Sequence, residues 1–247
     1  DLVALGTVCD VMPLTGLNRA LVTQGLKIMK ARGHAGLATL ADSARLNEAP
    51  NVYHLGFLLG PRINAGGRVG ESNLGVRLLT TDQQHERSEL AARLEQLNAE
   101  RQAIEAGITE QAMLLAQTQL NAPVIVVAQE GWHAGVIGIV AARLKEKFSR
   151  PAAVIALEHG VGKGSARSVM GADMGAAIHA AHTQGIIEAG GGHAMAAGFT
   201  LAAAQVEKLH GFLCQRLERA VTDYNESRVR KLDGWMSVGA ANLSLIE

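Results

Sequence analysis

The sequence predicts an α/β fold in which two segments of different texture flank one long helix. Three observations carry this reading. Residues 83–117 form the longest periodic stretch, with no Pro and with Gly107 as its only Gly. From residue 121 onward, short and continuously apolar runs alternate with amphipathic stretches, the pattern of buried strands and the helices that cover them. Glycine-rich segments punctuate the chain where such elements meet.

In order, residues 2–8 are short, apolar and punctuated by Gly6, which predicts a buried strand ending at Asp10. Asn18 is placed to cap a helix reaching Arg32, with Leu21, Val22, Leu26 and Met29 on one face. A second short helix is expected over 37–46. In the long stretch, Leu90, Leu94, Leu97, Ile104, Ile108 and Leu115 follow an alternating four-three spacing interrupted by Arg101 and Gln111. At about 1.5 Å per residue this helix is roughly 50 Å long. Its exposed face is expected to carry Glu95, Arg101 and Glu105. A coiled-coil dimer is one reading of the seam. A connecting helix in a monomer is the preferred one, because the flanking segments differ.

Beyond it, strands are expected at 124–128, 152–157 and 164–169, with a helix over 136–148 between the first two. Asp173 is placed to cap a helix running to His182. Gly190-Gly191-Gly192-His193 reads as a turn, and Val206, Leu209, Leu213 and Leu217 line a closing amphipathic helix. These elements divide the chain into residues 1–80, a helix at 81–119, an α/β unit at 120–224 and a tail at 225–247. No internal repeat occurs. The chain starts without Met inside an apolar run and stops just after a new element begins, so both ends are expected to be cuts through a longer protein.

Composition narrows the function classes. The 247 residues are 48% hydrophobic and 19% charged, the balance of a globular protein with a sizeable core. No apolar run reaches the ~20 residues of a membrane helix. Cys9 and Cys214 are the only cysteines, which argues against a disulfide framework and for a reducing, cytoplasmic setting. With 23 basic and 23 acidic residues, any polyanion must be met by a local cluster rather than an overall field. Aromatics at 3% favour backbone or phosphate recognition over base stacking.

Three segments are candidates for that cluster. In Gly60-Pro61-Arg62-Ile63-Asn64-Ala65-Gly66-Gly67-Arg68, two guanidiniums flank a small-residue backbone that an anion can approach closely. An ordinary helix-ending turn with solvated arginines is the alternative. Gly131-Trp132-His133-Ala134-Gly135-Val136-Ile137-Gly138 stands between a strand and a helix, where helix N–H groups meet anions. It has neither a dinucleotide fingerprint nor a Walker loop, and His133 is equally readable as a core or capping residue. In Lys163-Gly164-Ser165-Ala166-Arg167-Ser168, the two-residue strand period puts Ser165 and Arg167 on one face. Beside the backbone of Gly191, Gly192 and His193 they would make a phosphate receptor. A surface Arg on an edge strand is the alternative. Metal chemistry is poorly supplied: no HxxxH, CxxC or DxD spacing occurs, and Asp10 is the one carboxylate placed as a ligand.

Together these segments resemble the DHH phosphoesterase family, in particular its single-strand-DNA-specific exonucleases. The string Val3-Ala4-Leu5-Gly6-Thr7-Val8-Cys9-Asp10-Val11-Met12-Pro13-Leu14 is similar to the family's fourth motif, whose Asp is a metal ligand, with Cys9 where Ala is usual. Residues 61–68 resemble the next motif, and 131–144, 164–169 and 190–198 the blocks of the DHH-associated domain. The family's Asp-rich strand and Asp-His-His triplet are not in this sequence.

The resemblance implies the C-terminal part of a DHH domain, a connecting helix, a DHH-associated domain with a mixed sheet, and the start of an oligonucleotide-binding fold near Leu232. It implies a DNA repair and recombination nuclease that uses Mn²⁺ or Mg²⁺, by a two-metal mechanism, to hydrolyse single-stranded DNA 5′→3′. Asp10 would be a metal ligand. Arg62, Asn64, Arg68, His133, Ser165, Arg167, Ser168, Gly191, Gly192 and His193 would bind DNA, with Ser165, Arg167 and either Arg62 or Arg68 on the 5′ phosphate. This chain alone is expected to lack nuclease activity and an occupied metal pair. A short-oligonucleotide or cyclic-dinucleotide phosphodiesterase is the rival within the superfamily. A noncatalytic nucleic-acid-binding module is the rival outside enzymes.

Overall fold

The computed structural model describes residues 1–227 and 234–241. The chain begins with α1 (Leu2–Cys9), not the expected strand. An eight-residue apolar run carries no period that separates a strand from a buried helix, so its packing partner decides. Here the partner is α2 (Gly16–Lys30): a Cβ on Gly25 would stand 2.5 Å from the Ala4 Cβ. Asp1 accepts a hydrogen bond from the Leu2 N–H at the helix start. Asp10 therefore ends a helix and is exposed, rather than sitting at a strand's carboxyl end. In α2, Val22 and Met29 are buried while Leu21 is exposed. α3 (Ala35–Ser43) follows, close to its expected place.

The segment 60–68, for which a helix-ending turn is the alternative reading, is helical throughout. A π-helical turn (His54–Leu59) runs into α4 (Gly60–Val69), and Pro61 sits in the first turn of α4, where its missing N–H costs nothing. The glycines serve close packing instead: a Cβ on Gly60 would lie 2.5 Å from the Cys9 Sγ and 2.8 Å from the Leu55 carbonyl. α5 (Leu74–Thr80) completes this helical region.

The long helix, α6 (Gln84–Gln117), has 34 residues and spans about 51 Å. Its first half buries Leu90, Leu94 and Leu97 against Leu40, Leu59 and Leu78 of the helical region. Its second half buries Ile108, Ala112 and Ala116 against a different core. Arg101 and Glu105, expected on the exposed face, are buried, and Glu95 is ion-paired to Arg62. The helix changes partner near Arg101, so no single stripe faces solvent along its whole length.

Residues 125–202 form a five-stranded mixed sheet: β1 (Ile125–Glu130), β2 (Ala152–Glu158), β3 (Val161–Arg167), β4 (Ala189–His193) and β5 (Ala196–Ala202), in spatial order β1-β2-β3-β5-β4. β1 and β2 are parallel and joined through α7 (Ile137–Phe148); the other pairs are antiparallel. Between β3 and β4 lies α8 (Met174–Thr183), capped by the Asp173 carboxylate on the Ala176 N–H at 2.9 Å. α9 (Val206–Glu226) closes the unit.

The glycine triplet is an edge strand rather than a turn. A Cβ on Gly190 would meet Ile178 at 2.8 Å and one on Gly192 the Ala196 carbonyl at 2.2 Å, so glycine allows α8 and β5 to close on the edge. Of the expected start of a further fold near Leu232, residues 234–241 are described and hold one 3-10 turn (Val238–Ala240); the rest lies outside the described residues.

One sheet face is closed throughout by α8 and α9, which pack Ile178, Leu209 and Leu213 on Ile155, Ala166, Phe199 and Leu201. The other is closed over β1 and β2, where α6 and α7 cover Ile125, Val127, Ala152 and Val154. The entry to α7 reaches on over Ser165 and Arg167 of β3, and beyond it, over β5 and β4, this face is left uncovered. That asymmetry positions the site.

Candidate phosphate-binding site at an open sheet face

Register decides which side chains share the uncovered face. Ser165 stands opposite Gly198, which stands opposite Gly191; Arg167 stands opposite Ala196, which stands opposite His193. Directly opposed residues of an antiparallel pair point the same way. Ser165, Arg167 and His193 therefore rise from one floor made of Gly198, Gly191 and Ala196. A Cβ on Gly191 would meet nothing within 4 Å, so this floor is open to an incoming backbone. The backbones of Arg167 and His193 lie two strand spacings apart, about 9.6 Å, on either side of that floor.

Arg167 Nη1 donates to the Ser165 Oγ at 3.1 Å and to the Ala166 carbonyl at 2.9 Å. The start of α7 lies directly over them: a Cβ on Gly138 would stand 3.0 Å from the Ser165 Oγ and 3.1 Å from Arg167 Nη2. The loop before α7 meets the end of α4, where Arg68 Nη1 donates to the Gly135 carbonyl at 3.1 Å. A Cβ on Gly135 would fall 2.0 Å from the Arg68 carbonyl oxygen. Arg68 of α4 and Arg167 of β3 thus meet the same short segment, one at Gly135 and the other at Gly138.

Burial pushes both guanidiniums below the usual arginine pKa. For Arg68, repulsion from Arg101 adds to that, against attraction from Glu105; for Arg167, repulsion from Arg68 adds to it. Neither has a carboxylate within ion-pair distance among the described residues. Two half-desolvated cations that repel one another are relieved by an anion placed between them.

The other predicted residues divide sharply. Asn64 is exposed and, four residues before Arg68, shares its helix face. His133 is exposed, and its Nδ1 accepts from the Gly135 N–H at 3.0 Å, which shapes the loop and leaves Nε2 free of that bond. His193 does the same for its own turn, accepting from the Met195 N–H at 3.3 Å. Arg62 is placed otherwise: its Nε and Nη2 donate to Glu95 at 2.5 and 3.1 Å and its Nη1 to the Leu58 carbonyl at 2.7 Å. It is committed to holding α4 on α6. Ser168 is buried, its hydroxyl donating to the Ala172 carbonyl at 2.5 Å, so it shapes the loop after β3 instead of facing a ligand.

Asp10 stands without companions: among the described residues, no three His, Cys, Asp or Glu side chains gather as a metal-binding group. The cluster that sequence reasoning missed is Arg101 and Glu105, buried where α6 meets α7, with the half-exposed Arg143 of α7. Its only signal was the polar Arg101 interrupting an apolar seam. No helix of the described residues is long and apolar enough to cross a membrane.

Comparison with known proteins gives the chain's relatives. Residues 121–219 match the DHHA1 domain. The chain is 38% identical over 238 residues to the single-stranded-DNA-specific exonuclease RecJ of Bacillus subtilis, covering 94% of this chain and 30% of that protein. It is 42% identical over 211 residues to the Haemophilus influenzae RecJ, covering 81% and 37%. The crystal structure of Thermus thermophilus RecJ in complex with Mn²⁺ superimposes with a TM-score of 0.78 at 35% identity, over 87% of this chain and 32% of that one. The Mg²⁺ complex of the same protein gives 0.79. The chain spans between 29% and 40% of the length of the curated relatives it matches. It carries a DHHA1 domain and, over most of its length, is a homologue of the RecJ exonucleases.

Proposed function

We propose that this chain is the part of a 5′→3′ single-strand-DNA exonuclease that holds the 5′ end of the strand. One observation carries the reading: Arg68 and Arg167, from different regions, converge half-buried and without carboxylate partners beside the Ser165 hydroxyl and a glycine floor. A terminal phosphate carries more charge than an internal diester. Two guanidiniums and a hydroxyl grip its several oxygens at once, while Gly198 and Gly191 let the sugar-phosphate backbone lie close to the sheet. Fixing that end fixes which bond is presented for cleavage, and so yields one nucleotide per cut. The work is done by a monomer in the cytoplasm, in repair and recombination.

Hydrolysis in this reading depends on Mn²⁺ or Mg²⁺. The donor set described here does not fit a metal pair, because the Asp10 carboxylate has no second and third ligand beside it. No step of bond cleavage is therefore assigned to these residues, and the chain by itself is expected to bind without cutting. Nucleotide release from single-stranded DNA by the pure chain in Mn²⁺ would contradict this.

The receptor is tested by comparing binding of 5′-phosphorylated and 5′-hydroxyl oligonucleotides. Hydrogen bonds to charged groups contribute roughly 1.5–3 kcal/mol, so Arg167→Ala is expected to weaken the phosphorylated strand by about tenfold to a hundredfold. The hydroxyl strand should change much less, and the exposed Arg219→Ala control should alter neither. Equal losses on both strands would mean that Arg167 follows the backbone without reading the end.

A further inference from the structure

Glu105 is 4% exposed and accepts from two arginines at once. Arg101 Nη1, one turn earlier on α6, donates at 2.5 Å, and Arg143 Nε, on α7, donates at 2.6 Å. Arg101 also donates through Nη2 to Asn98 Oδ1 at 2.7 Å. The Arg101 side chain is 11% exposed, so its charge depends on this partner. Buried ion pairs are poor evidence for stability, since apolar replacements of similar volume are often as stable. A network of this kind therefore calls for a second reason.

The reason lies next door. Arg68 is near enough to feel both members, repelled by Arg101 and attracted by Glu105. The loop that accepts the Arg68 hydrogen bond and the glycine that makes room for Arg167 both belong to the entry into α7, the helix Glu105 ties to α6. We propose that Glu105 is a positioning residue for the phosphate receptor: by engaging Arg101 and Arg143 it fixes α7 on α6 and leaves Arg68 and Arg167 to close on the 5′ phosphate. Without its charge, Arg101 becomes a buried, unpaired cation beside Arg68, and either displaces it or competes for the same phosphate. The inference rests on the receptor proposed above.

The test reads the ratio of affinities for 5′-phosphorylated and 5′-hydroxyl oligonucleotides, which a general loss of folded protein does not change. Glu105→Gln keeps the shape and removes the charge; it should reduce the ratio about tenfold, as expected when a charged hydrogen-bond geometry is lost. Arg143→Gln, at the half-exposed end of the network, is the milder variant and should reduce it about threefold, even if Glu105→Gln does not fold. The double change Arg101→Met with Glu105→Leu removes both buried charges and should bring the ratio back to within about threefold of the parent. An unchanged ratio in Glu105→Gln or Arg143→Gln, or a ratio that the double change fails to restore, overturns the proposal. If the parent shows no end preference, the receptor reading itself fails. If the preference exists and falls in Arg167→Ala alone, only the role of Glu105 fails.

Discussion

The α4 segment and the open sheet face each present arginines on a glycine-rich backbone, yet their arginines have opposite fates. Arg62 meets Glu95 and the Leu58 carbonyl, and every one of its donating nitrogens is engaged. Arg68, two turns later on the same helix, and Arg167 on β3 meet only carbonyls and a hydroxyl, and keep an unbalanced charge. The type of residue and its glycine setting are the same in both places. What differs is whether a carboxylate from a distant segment arrives. A guanidinium closed by Glu serves packing, and one left with neutral partners remains able to take a phosphate.

The strongest way to break this comparison is to separate the two unpaired arginines. Gly135→Ala puts a methyl 2.0 Å from the Arg68 carbonyl, a backbone atom that cannot swing aside, so the loop must leave α4. It should cost about 1–3 kcal/mol in stability, as overpacking does, and abolish the preference for a 5′ phosphate. Urea unfolding with paired binding curves checks both; a retained preference would mean that Arg68 takes no part. A smaller effect of the opposite kind is expected from Arg62→Ala. Its pair with Glu95 is partly exposed, so removal should cost about 1–2 kcal/mol and leave the end preference unchanged. A loss of preference without a loss of stability would return Arg62 to the receptor.

Legibility differed in the same way between regions. In the sheet region, β1, β2, α7, α8 and α9 stand within a few residues of their expected places, because short apolar runs there alternate with amphipathic stretches and capping signals that arbitrate between strand and helix. In the helical region, α1 was expected as a strand, and α4 was read as a glycine-rich segment open to an anion, with a turn as the alternative. Both errors come from glycine and small residues serving helix packing, as Gly25 against Ala4 and Gly60 against Cys9 do. The same signal, glycine, marked a turn in expectation at 190–193 and an edge strand in fact.

By itself the sequence determined that Ser165 and Arg167 share a face, since the period of a strand is set by backbone geometry. It determined the extent of α6 to within a residue, since a long run without Pro has no competing local structure. It also determined the kinship with RecJ-type proteins, through motifs whose order survives across the chain. Only the tertiary structure decided that Arg62 is taken up by Glu95 while Arg68 meets the loop that leads over Arg167, and that Arg101 and Glu105 are buried. Those outcomes depend on pairs such as Arg62 with Glu95 and Glu105 with Arg143, which are 33 and 38 residues apart. Local propensity extends over a turn or two. Which charge meets which across such distances is settled by how the helices dock, and with it whether an arginine is left open to a ligand.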